Sequence, residues 1–254
     1  MKRIAIAWPA ALALVSFTAA APARSADDLP KAETILDKYV EVTGGLAAYN
    51  SHHNEIVTGT MEIASAHIKG RLTSYHAEPI KYYTEVDIEG LGKIQKGTDG
   101  TVAWSLSAMQ GPHLEDGDEK AMDLRTARFA GEAHWRDDYS KVETVAAETV
   151  NGKQCYRVLL TAKQGSPVTE YYDKQTGLLE KLSTTVKTPM GDLDTEITVG
   201  DYRKEGPLLM PHVMHQTAMG QEIVVTFETV KFDTDIPKDR FDPPAEIQAL
   251  LNKK

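Results

Sequence analysis

The chain has 254 residues, 41% of them hydrophobic, a single cysteine and a formal net charge of −9 at pH 7. That acidic balance argues against nucleic acid or an anionic membrane surface as partner, since charge repulsion opposes both. One thiol excludes an intrachain disulfide, so the fold has to rest on its own core.

Residues 1–23 read as a signal peptide. Met1-Lys2-Arg3 is a basic start, 4–18 is an apolar run broken only by Pro9 and Ser16, and Ala21-Pro22-Ala23 supplies the small residues of a cleavage site. The run is too short for a membrane span, and nothing later offers about eighteen consecutive apolar residues. The expected product is exported, periplasmic or secreted, and not membrane-spanning. No cysteine stands at the cleavage point, so no lipid anchor is expected. Loss of Lys2 and Arg3 takes the formal charge from −9 to −11. No Gly/Ser- or Pro-rich linker divides the remainder, which predicts one domain over 24–254.

A helix comes first. Pro30 suits its first turn, and Ala32, Ile35, Leu36, Tyr39 and Val40 recur on one face. Gly44-Gly45 ends it. Lys31, Glu33, Asp37, Lys38 and Glu41 keep the other face wet.

A period of two follows. Ile80, Tyr82, Val86 and Ile88 mark one strand; Val102, Trp104, Leu106 and Ala108 mark another; Leu193, Ile197 and Val199 a third. Half-buried patterns also run through 53–63, 66–76, 142–150, 154–162, 167–173, 178–187, 208–218 and 221–232. Glu78-Pro79, Asp99-Gly100, Asn151-Gly152, Thr176-Gly177, Met190-Gly191 and Met219-Gly220 punctuate them, as in a long antiparallel meander. The segment 116–139 has Thr126 as its only β-branched residue and places Ala121, Leu124, Arg125 and Arg128 at helical spacing, so it reads as one or two helices. Asp242 and Pro243-Pro244 open a short helix through 245–251.

Roughly ten strands present a wide inner face, and the helical cover is thin for it. Either the sheet closes on itself, or it curves into a half-barrel whose mouth holds a cavity. In an exported protein, a dry apolar cavity suggests an apolar ligand.

Catalytic chemistry is sparse. His212 and His215 sit three apart on a strand and point to opposite faces, and adjacent His52 and His53 also diverge, so all four read as surface histidines. Cys155 lies opposite Tyr156, Val158 and Leu160, with Arg157 near enough to lower its pKa but no base in evidence; it reads as a packing residue. The run Glu115-Asp116-Gly117-Asp118-Glu119 lacks the ligand spacing of a calcium loop and suits a helix start. No nucleophile elbow, zinc, phosphate-loop or dinucleotide motif occurs. Trp104, Tyr82, Tyr83, Tyr171, Tyr172, Met61, Met109, Met122, Met214 and Met219 offer an adaptable apolar wall.

Three stretches carry a resemblance. The opening helix Ala32-Glu-Thr-Ile-Leu-Asp-Lys-Tyr-Val-Glu-Val-Thr-Gly-Gly45, then Gly97-Thr-Asp-Gly-Thr-Val-Ala-Trp104, then Tyr171-Tyr-Asp-Lys-Gln-Thr-Gly-Leu-Leu179 resemble the LolA/LolB-like superfamily of periplasmic lipoprotein carriers, and within it the outer-membrane lipoprotein-sorting proteins. The resemblance implies a mainly β (α+β) fold: one curved antiparallel half-barrel sheet with helices covering its concave face. It implies a soluble carrier or binder of acyl chains, of a lipoprotein or a lipid; with the sparse catalytic chemistry above, neither enzymatic activity nor a cofactor or metal is expected. The alternative on the same fold is an envelope sensor that binds a partner protein. The cavity candidates are Met61, Leu72, Tyr82, Val86, Val102, Trp104, Leu106 and Met122, with Val102, Trp104 and Leu106 taken to share the concave face. Arg125 and Arg128, from the helical insertion, are the polar candidates at its mouth.

Overall fold

The structure, a computed structural model, describes residues 29–188, 191–218 and 220–253. The signal peptide, Met190 and Met219 lie outside the described residues.

Helix α1 (Ala32–Val42) buries the five apolar residues its spacing marks out. Thr43 ends it, its Oγ1 donating to the Tyr39 carbonyl at 2.7 Å and meeting the Tyr49 hydroxyl at 2.9 Å. This ties α1 to the one-turn helix α2 (Leu46–Tyr49). Six strands follow: β1 (Asn54–Ile63), β2 (Ile68–Ala77), β3 (Lys81–Ile88), β4 (Gly92–Thr98), β5 (Ala103–Ser107) and β6 (Gly111–Leu114). The insertion forms α3 (Gly117–Thr126) and the short α4 (Trp135–Asp138). Seven strands then run back: β7 (Tyr139–Val150), β8 (Lys153–Ala162), β9 (Val168–Asp173), β10 (Leu179–Thr188), β11 (Gly191–Glu205), β12 (Leu208–Ala218) and β13 (Gln221–Phe232). Helix α5 (Ala245–Leu251) closes the chain.

All thirteen strands form one antiparallel sheet that is not closed into a barrel. Its order is β6-β5-β4-β3-β2-β1-β13-β12-β11-β10-β9-β8-β7, so β13 returns to pair with β1 at the centre. Strands β6 and β7 remain as edges. Hairpin turns set the register: between β7 and β8, Asn151 and Gly152 take φ of 48° and 82°, the left-handed values a tight hairpin needs. Two strands go unannounced in the sequence. β4 offers Ile94 as its one large apolar residue, and β6 is four residues with a proline, as edge strands tolerate.

The sheet has two differently covered faces. One row across it runs Tyr75, Tyr83, Gly97, Trp104, Leu114. These residues pack under the C-terminal segment, with Phe241 and Ile247, on the outer face. The opposite, concave face takes α1, which packs Ile35, Leu36 and Tyr39 against Val158, Leu160 and Tyr172. Helix α3 crosses the same face, touching β10 on one side and β5 on the other.

Candidate functional site

The concave face is built by register. One row crosses six strands as Ile88, Gly70, Met61, Val225, Met214 and Val199. The next runs Val86, Leu72, Gly59, Phe227. Gly59 sits at a register shift where a Cβ would run into the Thr226 carbonyl of β13; its absence lets the two strands approach and the sheet bend. Ile197 and Leu182 continue the wall on β11 and β10.

These side chains are apolar, yet most are not packed away. Met61, Leu72, Met214, Val225, Phe227, Val199, Ile197 and Leu182 are all only half-buried, and none belongs to the four packed clusters. Neither β11 nor β13 contains a buried residue, although β13 lies at the middle of the sheet. Central strands of a solid core would be the most buried. Here they line a hollow.

Helix α3 spans that hollow as a strap. The only residue it buries is Asp123, so it makes no apolar seam with the sheet. Polar bonds hold it instead. At one side Lys96 of β4 meets Asp123 at 2.8 Å, where burial pushes the aspartate carboxyl up against the pull of the lysine. At the other, Arg125 donates to the carbonyls of Gln164 and Ser166 at 3.2 and 3.4 Å, and Ser166 donates to Asp118 at 2.8 Å. Arg128, just beyond α3, grips Asp138 with two bonds of 2.9 and 2.8 Å.

The structure brings Met61, Leu72, Tyr82 and Val86 onto one face, and Met122 of α3 joins Tyr82 and Asp123 around a cavity of about 180 Å³. Val102, Trp104 and Leu106 are a correction. They pack with the outer-face cluster, and Trp104, 1% exposed, shares its row with Tyr83 rather than Tyr82. Met109 is also displaced, 83% exposed at the tip between β5 and β6. The residues not singled out as cavity candidates are Val225, Phe227, Val199, Ile197 and Leu182. Their alternation was visible, but which face it addressed was not.

Two acids project into the hollow unforeseen. Glu132 follows α3, is surrounded by protein, yet reaches solvent; burial pushes its carboxyl up. Glu170 of β9 is pushed up to about 7, by burial first, against a hydrogen bond from the Tyr172 hydroxyl.

The histidines diverge as expected but are not all on the surface. His212 is fully buried, with Nδ1 2.9 Å from the Phe227 carbonyl oxygen and Nε2 3.1 Å from Glu205, whereas His215 pairs with Glu222 at 3.1 Å. His53 meets Glu78 and His52 meets Asp233, each at 2.9 Å. Cys155 is fully buried beside Val150 and Tyr171. Burial, then the charges of Glu180 and Asp173, push its thiol up, while Arg157 turns towards Glu148 at 3.5 Å instead of activating it. A thiol held protonated is a poor nucleophile. Cys155→Ser should therefore cost about 1 kcal/mol of stability in urea melts and leave ligand binding unchanged; loss of a catalytic activity in that variant alone would reverse this assignment.

No protein-family model matches the chain, and no curated protein matches it in sequence. Solved structures do match it in shape. A DUF1329 family protein from Desulfovibrio piger superimposes with a TM-score of 0.58 at 13% identity, covering 84% of this chain and 98% of that one. A LolA superfamily protein from Nitrosomonas europaea gives 0.55 at 13%, covering 85% and 99%. A domain named for outer membrane lipoprotein sorting, from Vibrio parahaemolyticus, gives 0.52 at 15%, covering 82% and 97%. The fold is LolA-like.

Proposed function

We propose that this LolA-like fold serves as an exported, non-enzymatic carrier or binder of acyl chains, of a lipoprotein or a free lipid, and that the chain lies in the hollow beneath α3. One observation carries the reading: Met61 of β1, Met214 of β12, Val225 and Phe227 of β13, and Val199 and Ile197 of β11 are large apolar side chains on the concave side that no packed cluster absorbs. Apolar surface left accessible on a concave wall gains about 25 cal/mol per Å² when a ligand covers it. Met61 and Met214 let that wall adapt to chains of different shape. The polar ties of α3 support entry, since they can part without exposing a packed core. The lipoprotein-sorting name of one structural neighbour is in keeping with such cargo.

Export and a single domain over 24–254 belong to the same proposal. No helix among the described residues is long and apolar enough to cross a membrane. The test is an aliphatic fluorescent probe: we expect saturable one-to-one binding, competition by long-chain lipids, and a negative heat-capacity change. Native mass spectrometry of protein released gently from its own envelope should show co-purifying lipid. A hollow that takes no probe, with a partner protein co-purifying instead, would favour the sensor reading.

A further inference from the structure

The acid-rich start of α3 acquires a second meaning once β6 lies beside it. Leu114 of β6 pairs with Trp104 and packs with the outer-face cluster. Side chains alternate along an extended strand, so His113 and Glu115 turn to the other face, the one α3 crosses. Glu115 still belongs to the ladder, its N–H donating to the Ala103 carbonyl at 2.9 Å. Gly117, with φ of 50°, then takes the left-handed conformation that reverses the chain into the first turn of α3, which carries Glu119. His113 Nε2 is left 3.5 Å from Glu115 Oε2 and 3.9 Å from Glu119 Oε2. The three ligand atoms all lie within 4.8 Å of one another, and no other such trio of His, Cys, Asp or Glu occurs among the described residues.

Neither carboxylate is otherwise provided for. The Glu115 side chain is 6% exposed and that of Glu119 23%, yet neither accepts a hydrogen bond from any described residue. Buried carboxylates are ordinarily paired or hydrogen-bonded. Nor does Glu119 cap its helix. Third in α3, it stands where a glutamate commonly bonds back to the N-cap N–H, and it turns to His113 instead. Lys96 is engaged by Asp123 at 2.8 Å. A protonated His113 would offer one charge to two carboxylates, from beyond ordinary hydrogen-bond length. A divalent ion offers two charges and can bond all three groups. The N-terminal dipole of α3, about half a unit of positive charge, opposes the ion but is outweighed by the two carboxylates.

The donor set chooses the metal. Imidazole with carboxylates suits Zn²⁺ and similar transition-metal ions, whereas Ca²⁺ and Mg²⁺ prefer oxygen ligands alone. Tetrahedral Zn²⁺ with bonds of about 2.0–2.1 Å sets its ligand atoms about 3.3 Å apart. The His113–Glu115 pair is already near that spacing. The His113 side chain, 50% exposed, has room to close on Glu119 and leaves a way in from solvent. Water would take the fourth position.

We propose that His113, Glu115 and Glu119 form a site for Zn²⁺ or a similar divalent transition-metal ion, which fastens the first turn of α3 to the edge strand β6. The site does not depend on what the hollow holds. It is tested by calorimetry of the chelator-stripped protein, without a histidine tag, against zinc chloride, with thermal melts alongside. We expect one Zn²⁺ per chain at micromolar concentration, and a melting temperature that rises with added Zn²⁺, as it must when an ion binds the folded state alone. Ca²⁺ and Mg²⁺ at the same concentrations should do neither. His113→Ala and Glu119→Gln alter side chains that belong to no packed cluster. Each should weaken Zn²⁺ by more than about tenfold, the least that losing even a group behind a ligand costs. His215→Ala removes an exposed histidine paired with Glu222 and should change nothing. Absence of binding at micromolar Zn²⁺, binding that survives His113→Ala, or Ca²⁺ held as tightly as Zn²⁺ would overturn the site and leave α3 with an ordinary acidic start.

Discussion

Replacing Glu170 by glutamine is expected to stabilise the protein above pH 7 and to flatten its dependence on pH. Glu170 sits on the concave face between Val158 and Leu182, where burial raises its pKa from an ordinary 4.5 to about 7. The nearby Glu132 charge adds to the rise, while the Tyr172 hydroxyl and Arg125 act against it. The folded state thus holds its proton more tightly than the unfolded chain. Between about pH 4.5 and 7 the native protein keeps a proton that the unfolded chain has released, so stability falls as pH rises through that window. Above pH 7 both states are ionised and the loss is complete, of the order of ~3 kcal/mol for a shift of this size. Glutamine cannot ionise and still accepts the Tyr172 bond. Urea melts at pH 5, 6, 7 and 8 should give a falling series for the native sequence and a distinctly shallower one for Glu170→Gln, the remaining slope coming from acids such as Asp123 that burial also pushes up. Two parallel series would mean that the hollow keeps Glu170 hydrated and ordinary.

Most of the architecture was legible because the strands obey simple alternation. The segment 221–232 is β13 to the residue, and 245–251 is α5. The thin helical cover pointed to a hollow before any register was known. What alternation cannot supply is which face of a sheet a residue addresses; that comes from pairing with neighbours. Trp104 is opposite Gly97 of β4, and β4 was not read as a strand. Without it, the faces of β5 could not be carried over from those of β3. The ambiguity has a physical source: this end of the sheet is covered on both sides, by α3 on the concave face and by α5 on the outer one. Both alternations are therefore apolar, as Tyr82 and Tyr83 illustrate. Glu132 and Glu170 escaped notice for a different reason. An isolated acid on a strand or loop looks like solvated surface, and only the curling of the sheet brings protein around Glu170 and around the foot of Glu132, whose side chain still reaches solvent.

The largest contrast should come from two equal insertions of charge on opposite faces. Met214 is half-buried, flanked by Val199 and Val225 on the concave wall, and belongs to no packed cluster. A carboxylate there stays in contact with the open hollow, so Met214→Glu should cost less than about 1 kcal/mol of stability. It should nevertheless weaken an aliphatic probe by about a hundredfold or more, since the chain would have to lie against a charge it cannot solvate. Leu106→Glu reverses the pattern. Leu106 packs against the cluster of Tyr83, Trp104, Phe241 and Ile247, where an unpaired charge costs about 2–4 kcal/mol and loosens α5. Whatever fraction stays folded should bind the probe normally. Trp104 supplies an independent check. Residues 1–23 contain Trp8, so a chain without them and with Trp135→Phe has Trp104 as its sole tryptophan. Being 1% exposed on the outer side, Trp104 should keep its emission unchanged as the probe fills its site, whereas loosening of α5 in the Leu106→Glu protein should shift it. If probe binding instead moves the Trp104 emission, and Met214→Glu leaves affinity intact, the ligand lies under α5 on the outer face and the hollow beneath α3 is not the site.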